Sequence, residues 1–210
     1  MKFLITAGPT REALDPARYI TNRSSGRMGY ALAGAARHEG HEVLLISGPT
    51  SLDVPAGVDF VNVESAQDMY DAVRDLCRSA DVAILCAAVA DYRPVSFSEQ
   101  KIKKGDGRIT IELEKTPDIL GSMRESFGFE GTLIGFAAET QNLLSYGRDK
   151  LQRKRCDMIV ANDISRPDIG FDSPENEVTL ILPDREIPLA KDSKEHIALH
   201  IIEHAVRLRS

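Results

Sequence analysis

Apolar positions along this chain form short continuous runs, separated by longer stretches in which they recur every three or four residues. Lys2-Phe3-Leu4-Ile5-Thr6-Ala7 is a run of the first kind, stopped at Gly8-Pro9, and it reads as a buried strand. Similar runs predict strands over Glu42–Ile46, Asp59–Val63, Asp81–Cys86, Thr132–Phe136 and Met158–Ala161. Between them the helical period predicts helices from about Ser25 to Arg37, Ala66 to Arg78 and Leu144 to Arg155. Thr116-Pro117-Asp118 opens another, with the hydroxyl as cap and proline at the first helical position. This alternation predicts an α/β fold, a Rossmann-like, mostly parallel sheet with helices on both faces. Near the end the pattern changes. Glu177–Leu182 and Glu186–Leu189, joined by Pro183-Asp184-Arg185, read as an antiparallel hairpin before a final helix, Lys194–Arg209. With neither an internal repeat nor a low-complexity linker, residues 1–210 are expected to form a single domain.

Charge and composition narrow the chemistry. The formal net charge of −6 argues against nonspecific nucleic-acid binding, which draws on a basic footprint. Basic residues nevertheless bunch at Lys101, Lys103 and Lys104, and at Arg148, Lys150, Arg153, Lys154 and Arg155; each cluster reads either as a local anion site or as a solvated face. No apolar run reaches the roughly eighteen residues of a membrane span, and the start has no signal-peptide pattern, so a cytoplasmic location is expected. Cys77, Cys86 and Cys156 lie far apart and suggest reduced thiols in or near the core rather than a disulfide or zinc framework.

In an open α/β sheet the functional residues belong at the carboxyl ends of the strands. Those ends supply Ala7-Gly8-Pro9-Thr10, Cys86-Ala87-Ala88-Val89-Ala90-Asp91, Phe136-Ala137-Ala138-Glu139-Thr140 and Ala161-Asn162-Asp163. Small residues followed by a polar one let a ligand approach the backbone while a side chain orients it. Asn22-Arg23-Ser24-Ser25-Gly26-Arg27-Met28-Gly29 heads the first helix. It reads as a phosphate-binding helix start with Ser24 and Ser25 as caps and Gly26 leaving room, or as ordinary helix punctuation. The turn after the first strand is not GxGxxG, and the second strand ends in Ser47-Gly48 rather than a carboxylate, which speaks against a dinucleotide-dependent oxidoreductase. Neither GxxxxGK[ST] nor a Gly-x-Ser-x-Gly elbow occurs. His196, His200 and His204 have metal-ligand spacing on the last helix, yet a polar helix flank accounts for them equally simply, and no metal site is predicted.

Taken together, Asp15-Pro16-Ala17-Arg18 through Gly29, Ala87 through Pro94, Lys101-Ile102-Lys103-Lys104, Thr116-Pro117-Asp118-Ile119, Gly135 through Thr140 and Ala161-Asn162-Asp163 closely resemble the phosphopantothenoylcysteine synthetases of coenzyme A biosynthesis. The resemblance runs in order over nearly the whole chain. In many bacteria this module is the C-terminal half of a fusion with a flavin-dependent decarboxylase; the length here leaves no room for that domain, and flavin chemistry is not expected. The bacterial form of the family implies a ligase that joins 4′-phosphopantothenate to L-cysteine. The acid attacks the α-phosphate of CTP, giving an acyl-cytidylate and pyrophosphate, and cysteine then displaces CMP. Mg²⁺ is implied as an ion carried by the triphosphate. A noncatalytic nucleotide-binding module on the same fold is the alternative.

The resemblance implies roles for particular residues. Asn22 and Lys101 correspond to catalytic positions, the first contacting the acyl-cytidylate and the second opening a mobile KxKK flap. Ala87, Asp91, Lys101, Pro117, Asp118, Ile119, Leu120, Phe136, Lys150 and Lys154 match the nucleotide site. Arg18, Asn22, Ala87, Ala88 and Asp91 match the phosphopantothenate site, with Arg18 reaching it from a neighbouring subunit. A homodimer with shared active sites is thereby implied, with the C-terminal hairpin as part of its contact. Two departures stand out: Arg27 occupies a position where the family often has lysine, and the Gly105–Arg108 segment is short.

Overall fold

The computed structural model describes residues 1–105, 107–139, 141–163 and 173–209. Its first half runs β1 (Lys2–Ala7), β2 (Arg11–Asp15), β3 (Arg18–Thr21), α1 (Arg27–His38), β4 (Glu42–Ser47), β5 (Asp59–Asn62), α2 (Ala66–Leu76) and β6 (Val82–Leu85). The second half runs β7 (Tyr92–Pro94), β8 (Leu113–Lys115), α3 (Ile119–Glu125), β9 (Thr132–Glu139), α4 (Leu143–Lys154), β10 (Met158–Asp163), β11 (Glu175–Ile181), β12 (Glu186–Ser193) and α5 (Lys194–Arg209). Eight strands form the main sheet in the order β12-β11-β10-β9-β6-β1-β4-β5. From β5 to β10 every neighbouring pair is parallel, while β11 and β12 pair antiparallel.

The continuous apolar runs become central strands because both sheet faces are covered. On one face α1 and α5 pack Leu32, Ala33, Ile197 and Ile201 against Phe3, Ile5 and Ile84. On the other, α2, α3 and α4 bring Met69, Val73, Met123 and Leu151 against Leu4, Ala83 and Leu133. Alternate residues of β1 thus feed opposite layers, as the two-residue period of a strand requires. The chain leaves β1 for β4 on one side and later returns to β6 on the other. A crevice therefore opens at the carboxyl end of β1.

Two small sheets, β2–β3 and β7–β8, were not expected from the pattern. In β2 the buried positions carry Glu12 and Asp15, which disguises the alternation of a strand. Glu12 is satisfied by the amide of Ala66, 2.8 Å from its Oε1, and so joins this hairpin to the first turn of α2.

Helix starts also differ from expectation. Helix α1 begins at Arg27, and Gly26 rather than a serine holds the cap, in a left-handed conformation with φ 78°; only glycine adopts that conformation freely. The Ser24 hydroxyl instead accepts from the Gly26 amide at 3.3 Å. At α3 the cap is Asp118, which accepts from the Gly121 amide at 2.8 Å. Thr116 is not the cap because its hydroxyl donates to the Ala90 carbonyl at 2.6 Å, and Pro117 precedes the cap instead of following it.

Helix α1 sits unusually close to β1. A Cβ on Gly29 would lie 2.5 Å from the Ala7 Cβ and 3.0 Å from its Cα. Gly29→Ala is therefore expected to cost about 1–3 kcal/mol through overpacking. The change would appear as a lower urea midpoint at constant slope; wild-type stability in the variant would contradict this seating of the helix.

Candidate active site

The carboxyl ends of β1, β6, β9 and β10 open into one cleft of about 1660 Å³. Its near wall is the loop after β6. Ala88 donates to the Gly8 carbonyl at 2.9 Å and accepts from Thr10 at 3.3 Å. The Thr10 hydroxyl accepts from the Ala90 amide at 2.9 Å, and the Thr6 hydroxyl from Ala87 at 3.2 Å. These bonds lock an Ala-rich loop against the end of β1 and satisfy backbone groups that would otherwise be buried unpaired. Asn22, on the segment leading to α1, adds to the weave: its Nδ2 donates to the carbonyls of Ala88 at 3.2 Å and Val89 at 3.0 Å.

The far wall combines the start of α3, the end of β9 and one face of α4. Lys150 and Lys154, one helical turn apart, both face the cleft. The Lys150 Nζ donates to the Phe136 carbonyl at 2.7 Å, and Lys154 pairs with Asp118. Burial alone would raise the pKa of Asp118. The Lys154 ammonium, the Gly121 amide and Lys150 outweigh that and hold it below its ordinary value. One carboxylate thus caps α3 and fixes a lysine of α4.

A third group closes the inner end. Asn162, Asn176 and Lys194 line the cleft beside Cys86 and Met28, with Asn176 and Lys194 only 2% and 5% exposed. The Oδ1 of Asn162 is buried without a hydrogen-bond partner among the described residues; such an atom is costly unless a ligand meets it. Of these three only Asn162 stands at a strand end where the sequence pattern points to a ligand. A lysine on the first turn of a helix, where the dipole disfavours a cation, was the available signal for Lys194. Burial pushes the Cys86 thiol up to about 12, against the opposing pull of Lys194.

Of the residues expected at the site, Asn22, Ser24, Ser25, Gly26, Ala87, Ala88, Asp91, Pro117, Asp118, Ile119, Leu120, Phe136, Lys150 and Lys154 line this one cleft. Arg18 and Lys101 do not line it. The Arg18 Nη2 donates to the Ile102 carbonyl at 3.0 Å, and Lys101 is exposed beside that contact. Asp106 in the expected flap and Thr140 after β9 lie outside the described residues. On α5, His196 faces Asp192 at 3.1 Å and the His204 Nδ1 meets the His200 carbonyl at 2.8 Å. Among the described residues no three His, Cys, Asp or Glu side chains gather as a metal centre. Nor is any described helix long and apolar enough to cross a membrane.

Residues 1–208 match the family model of the DNA/pantothenate metabolism flavoprotein C-terminal domain. The chain belongs to this family. Among its relatives, the coenzyme A biosynthesis bifunctional protein CoaBC of Vibrio parahaemolyticus is 50% identical over 202 residues, 95% of this chain and 51% of that protein. The CoaBC of Bacillus subtilis is 47% identical over 209 residues, covering 98% and 51%. The chain therefore spans about half the length of these relatives. The crystal structure of a CoaBC C-terminal domain is 44% identical and superimposes with a TM-score of 0.84, covering 99% of this chain and 95% of that one. The fold of this chain is therefore the one seen in that C-terminal domain.

Because the folded-state pKa of Asp118 is lowered, its ionised form stabilises the fold. That contribution is complete above the unfolded value near ~3.9 and disappears as the pH falls through the lower folded value. Asp118→Asn should therefore lower the urea midpoint at pH 7, and the gap to wild type should shrink as the pH falls below about 4. A gap that is the same at both pH values would remove the carboxylate from this role.

Proposed function

We propose that this chain is the ligase that joins 4′-phosphopantothenate and L-cysteine at the expense of CTP. The observation that carries the reading is the convergence of Asn22, Ala87, Ala88, Asp91, Phe136, Lys150 and Lys154, drawn from separate segments, on one cleft. The relatives named for coenzyme A biosynthesis support it. In the first step a carboxylate oxygen of phosphopantothenate bonds to the α-phosphorus of CTP while the bond to the β-phosphate oxygen breaks, releasing pyrophosphate. In the second, the cysteine amine bonds to the acyl carbon, loses a proton, and CMP leaves with the electron pair. A bare carboxylate is a poor electrophile, so the mixed anhydride supplies the leaving group.

Most of the protein's work in such a reaction is to hold phosphates and neutralise their charge. Lys150 and Lys154 supply cationic charge to the far wall, and the bonds of Lys150 to Phe136 and of Lys154 to Asp118 fix where the two ammonium groups sit. Asn22 holds its Nδ2 on two carbonyls of the near wall, and it donates to an acyl or phosphoryl oxygen by exchanging one of them for the substrate. Mg²⁺ would arrive on the triphosphate and would offset phosphate charge; Asp91 and Asp149 are the cleft carboxylates that would be open to it. The buried Oδ1 of Asn162 suits a donor on the nucleotide.

We further propose that the working unit is a homodimer, with its contact on the β7–β8 hairpin in place of the C-terminal hairpin that the resemblance implies. Val95, Phe97, Ile109, Ile111 and Leu113 stand exposed on or beside the β7–β8 hairpin, an apolar patch of the kind that marks an interface. Arg18, on the neighbouring β2–β3 hairpin and outside its own cleft, is available to the site of a second copy. Phe97→Glu should convert the dimer to monomer in sedimentation; a retained dimer would shift the contact to the open edge of β12.

The ligase reading is tested by mixing the protein with Mg²⁺, phosphopantothenate and either CTP or ATP without cysteine, then detecting the acyl-nucleotide by mass. CTP should give the acyl-cytidylate, and adding cysteine should release CMP. A protein that binds CTP but forms neither product would be a noncatalytic module. Asn22→Ala should still release pyrophosphate while amide formation slows. Lys101→Ala should slow pyrophosphate release by about 10²-fold, the loss typical of a removed charge stabiliser; wild-type rates in both variants would remove these roles.

A further inference from the structure

Asp15 is a carboxylate with no exposed side-chain surface, on a hairpin outside the cleft, and the chemistry above makes no use of it. Its two oxygens are both committed. Oδ1 accepts from the Ala17 amide at 2.7 Å, which closes the turn between β2 and β3. Oδ2 accepts from the Ile102 amide at 3.0 Å, a residue 87 positions away. Arg18 completes the arrangement: its Nη1 lies 3.5 Å from Asp15 and its Nη2 donates to the Ile102 carbonyl at 3.0 Å. Both backbone groups of Ile102 are therefore held by one acid and one arginine of the same turn.

A second tie lies just upstream, where the Ser98 amide donates to the Leu14 carbonyl at 3.0 Å. Lys101 falls between these two fixed points. Beyond them the segment changes character. Lys103 and Lys104 are exposed, and among the described residues nothing beyond their chain neighbours lies within 4 Å of where a Cβ on Gly105 or Gly107 would stand. Burial would raise the pKa of Asp15, but the amides of Ile102 and Ala17 and the charge of Arg18 outweigh it. The carboxyl sits below its ordinary value and stays ionised at neutral pH.

We propose that Asp15 is a positioning residue for the lysine segment, fixing the backbone beside Lys101 to the β2–β3 turn and holding Arg18 in register with it. The role in catalysis rests on the ligase reading, in which Lys101 meets the triphosphate. The anchoring itself does not. A single carboxylate then sets the place of two cations that the reading assigns to different substrates, Lys101 to the nucleotide and Arg18 to phosphopantothenate. An asparagine here accepts at only one oxygen and presents an NH₂ to the other amide, so one of the two backbone bonds is lost and a donor faces a donor.

Limited trypsin digestion followed by mass mapping tests the anchor without any substrate. In Asp15→Asn, cleavage after Lys101, Lys103 and Lys104 should accelerate about tenfold, the scale of a lost charged hydrogen bond acting through local opening. Cleavage after Lys191, on the distant β12, should keep its wild-type rate, which separates local release from general unfolding. Arg18→Gln, a change on a partly exposed side chain, should accelerate the same three cleavages by a smaller factor and serves if Asp15→Asn does not fold. Unchanged cleavage in whichever variants fold would overturn the anchor.

Kinetics test the consequence. Asp15→Asn should slow pyrophosphate release about tenfold in the wild-type background and less than about twofold in a Lys101→Ala background, because both act through one side chain. Full additivity of the two substitutions would overturn the positioning role even if the cleavage pattern changes. Failure of the wild-type protein to release pyrophosphate at all would instead sink the ligase reading, and the digestion would still decide the anchor.

Discussion

The architecture depends on how closely two backbones approach at the carboxyl end of β1. Gly8 turns there with φ 72°, and a Cβ on it would meet the Gly48 carbonyl at 2.8 Å. Gly26, in the left-handed conformation at the head of α1, lies over Gly8, and Gly29 rests on Ala7. This contact brings the first turn of α1 down onto the sheet at the point where the strand order reverses. Were α1 to ride higher, Asn22 would lose the carbonyls of Ala88 and Val89, and the near wall of the cleft would part from its floor.

Much of this was legible in the sequence, and for a specific reason. Strands buried on both faces are written as unbroken apolar runs, so β1, β4, β6, β9 and β10 stand out, and the small residues after them mark where a ligand has room. The hairpins β2–β3 and β7–β8 were hidden because their inward positions carry Glu12 and Asp15 and their outward positions carry exposed apolar side chains such as Tyr92 and Leu113. Both inversions reverse the usual sign of the pattern. Helix caps were misjudged where two suitable residues competed: Thr116 and Asp118 are both good caps, and only the nearby Ala90 carbonyl decides which hydroxyl or carboxylate is free to serve.

The site divides along the same line. Residues whose role follows from a strand end or from helical spacing, such as Ala87, Asp91, Lys150 and Lys154, gather in the cleft as their positions implied. Lys194 and Asn176 were missed because their proximity depends on the antiparallel return of β11 and on the docking of α5, neither of which leaves a local trace. Arg18 and Lys101 are legible as cations but not as neighbours. Arg18 comes beside Lys101 only because its guanidinium bonds the carbonyl of Ile102, the next residue, where the β2–β3 hairpin meets the segment after β7.

Cys86 carries a further implication for chemical selectivity. On the ligase reading, the second substrate is itself a thiol, and it arrives in a cleft that already holds one. Burial holds the Cys86 thiol well above its ordinary range, so it stays protonated at pH 7, where an ordinary exposed thiol is ionised at about the per cent level. Disulfide exchange proceeds through the thiolate. A thiol of the cleft lining that stays protonated is a poor partner for exchange, and oxidised forms of the amino acid would meet it without ready formation of a mixed disulfide.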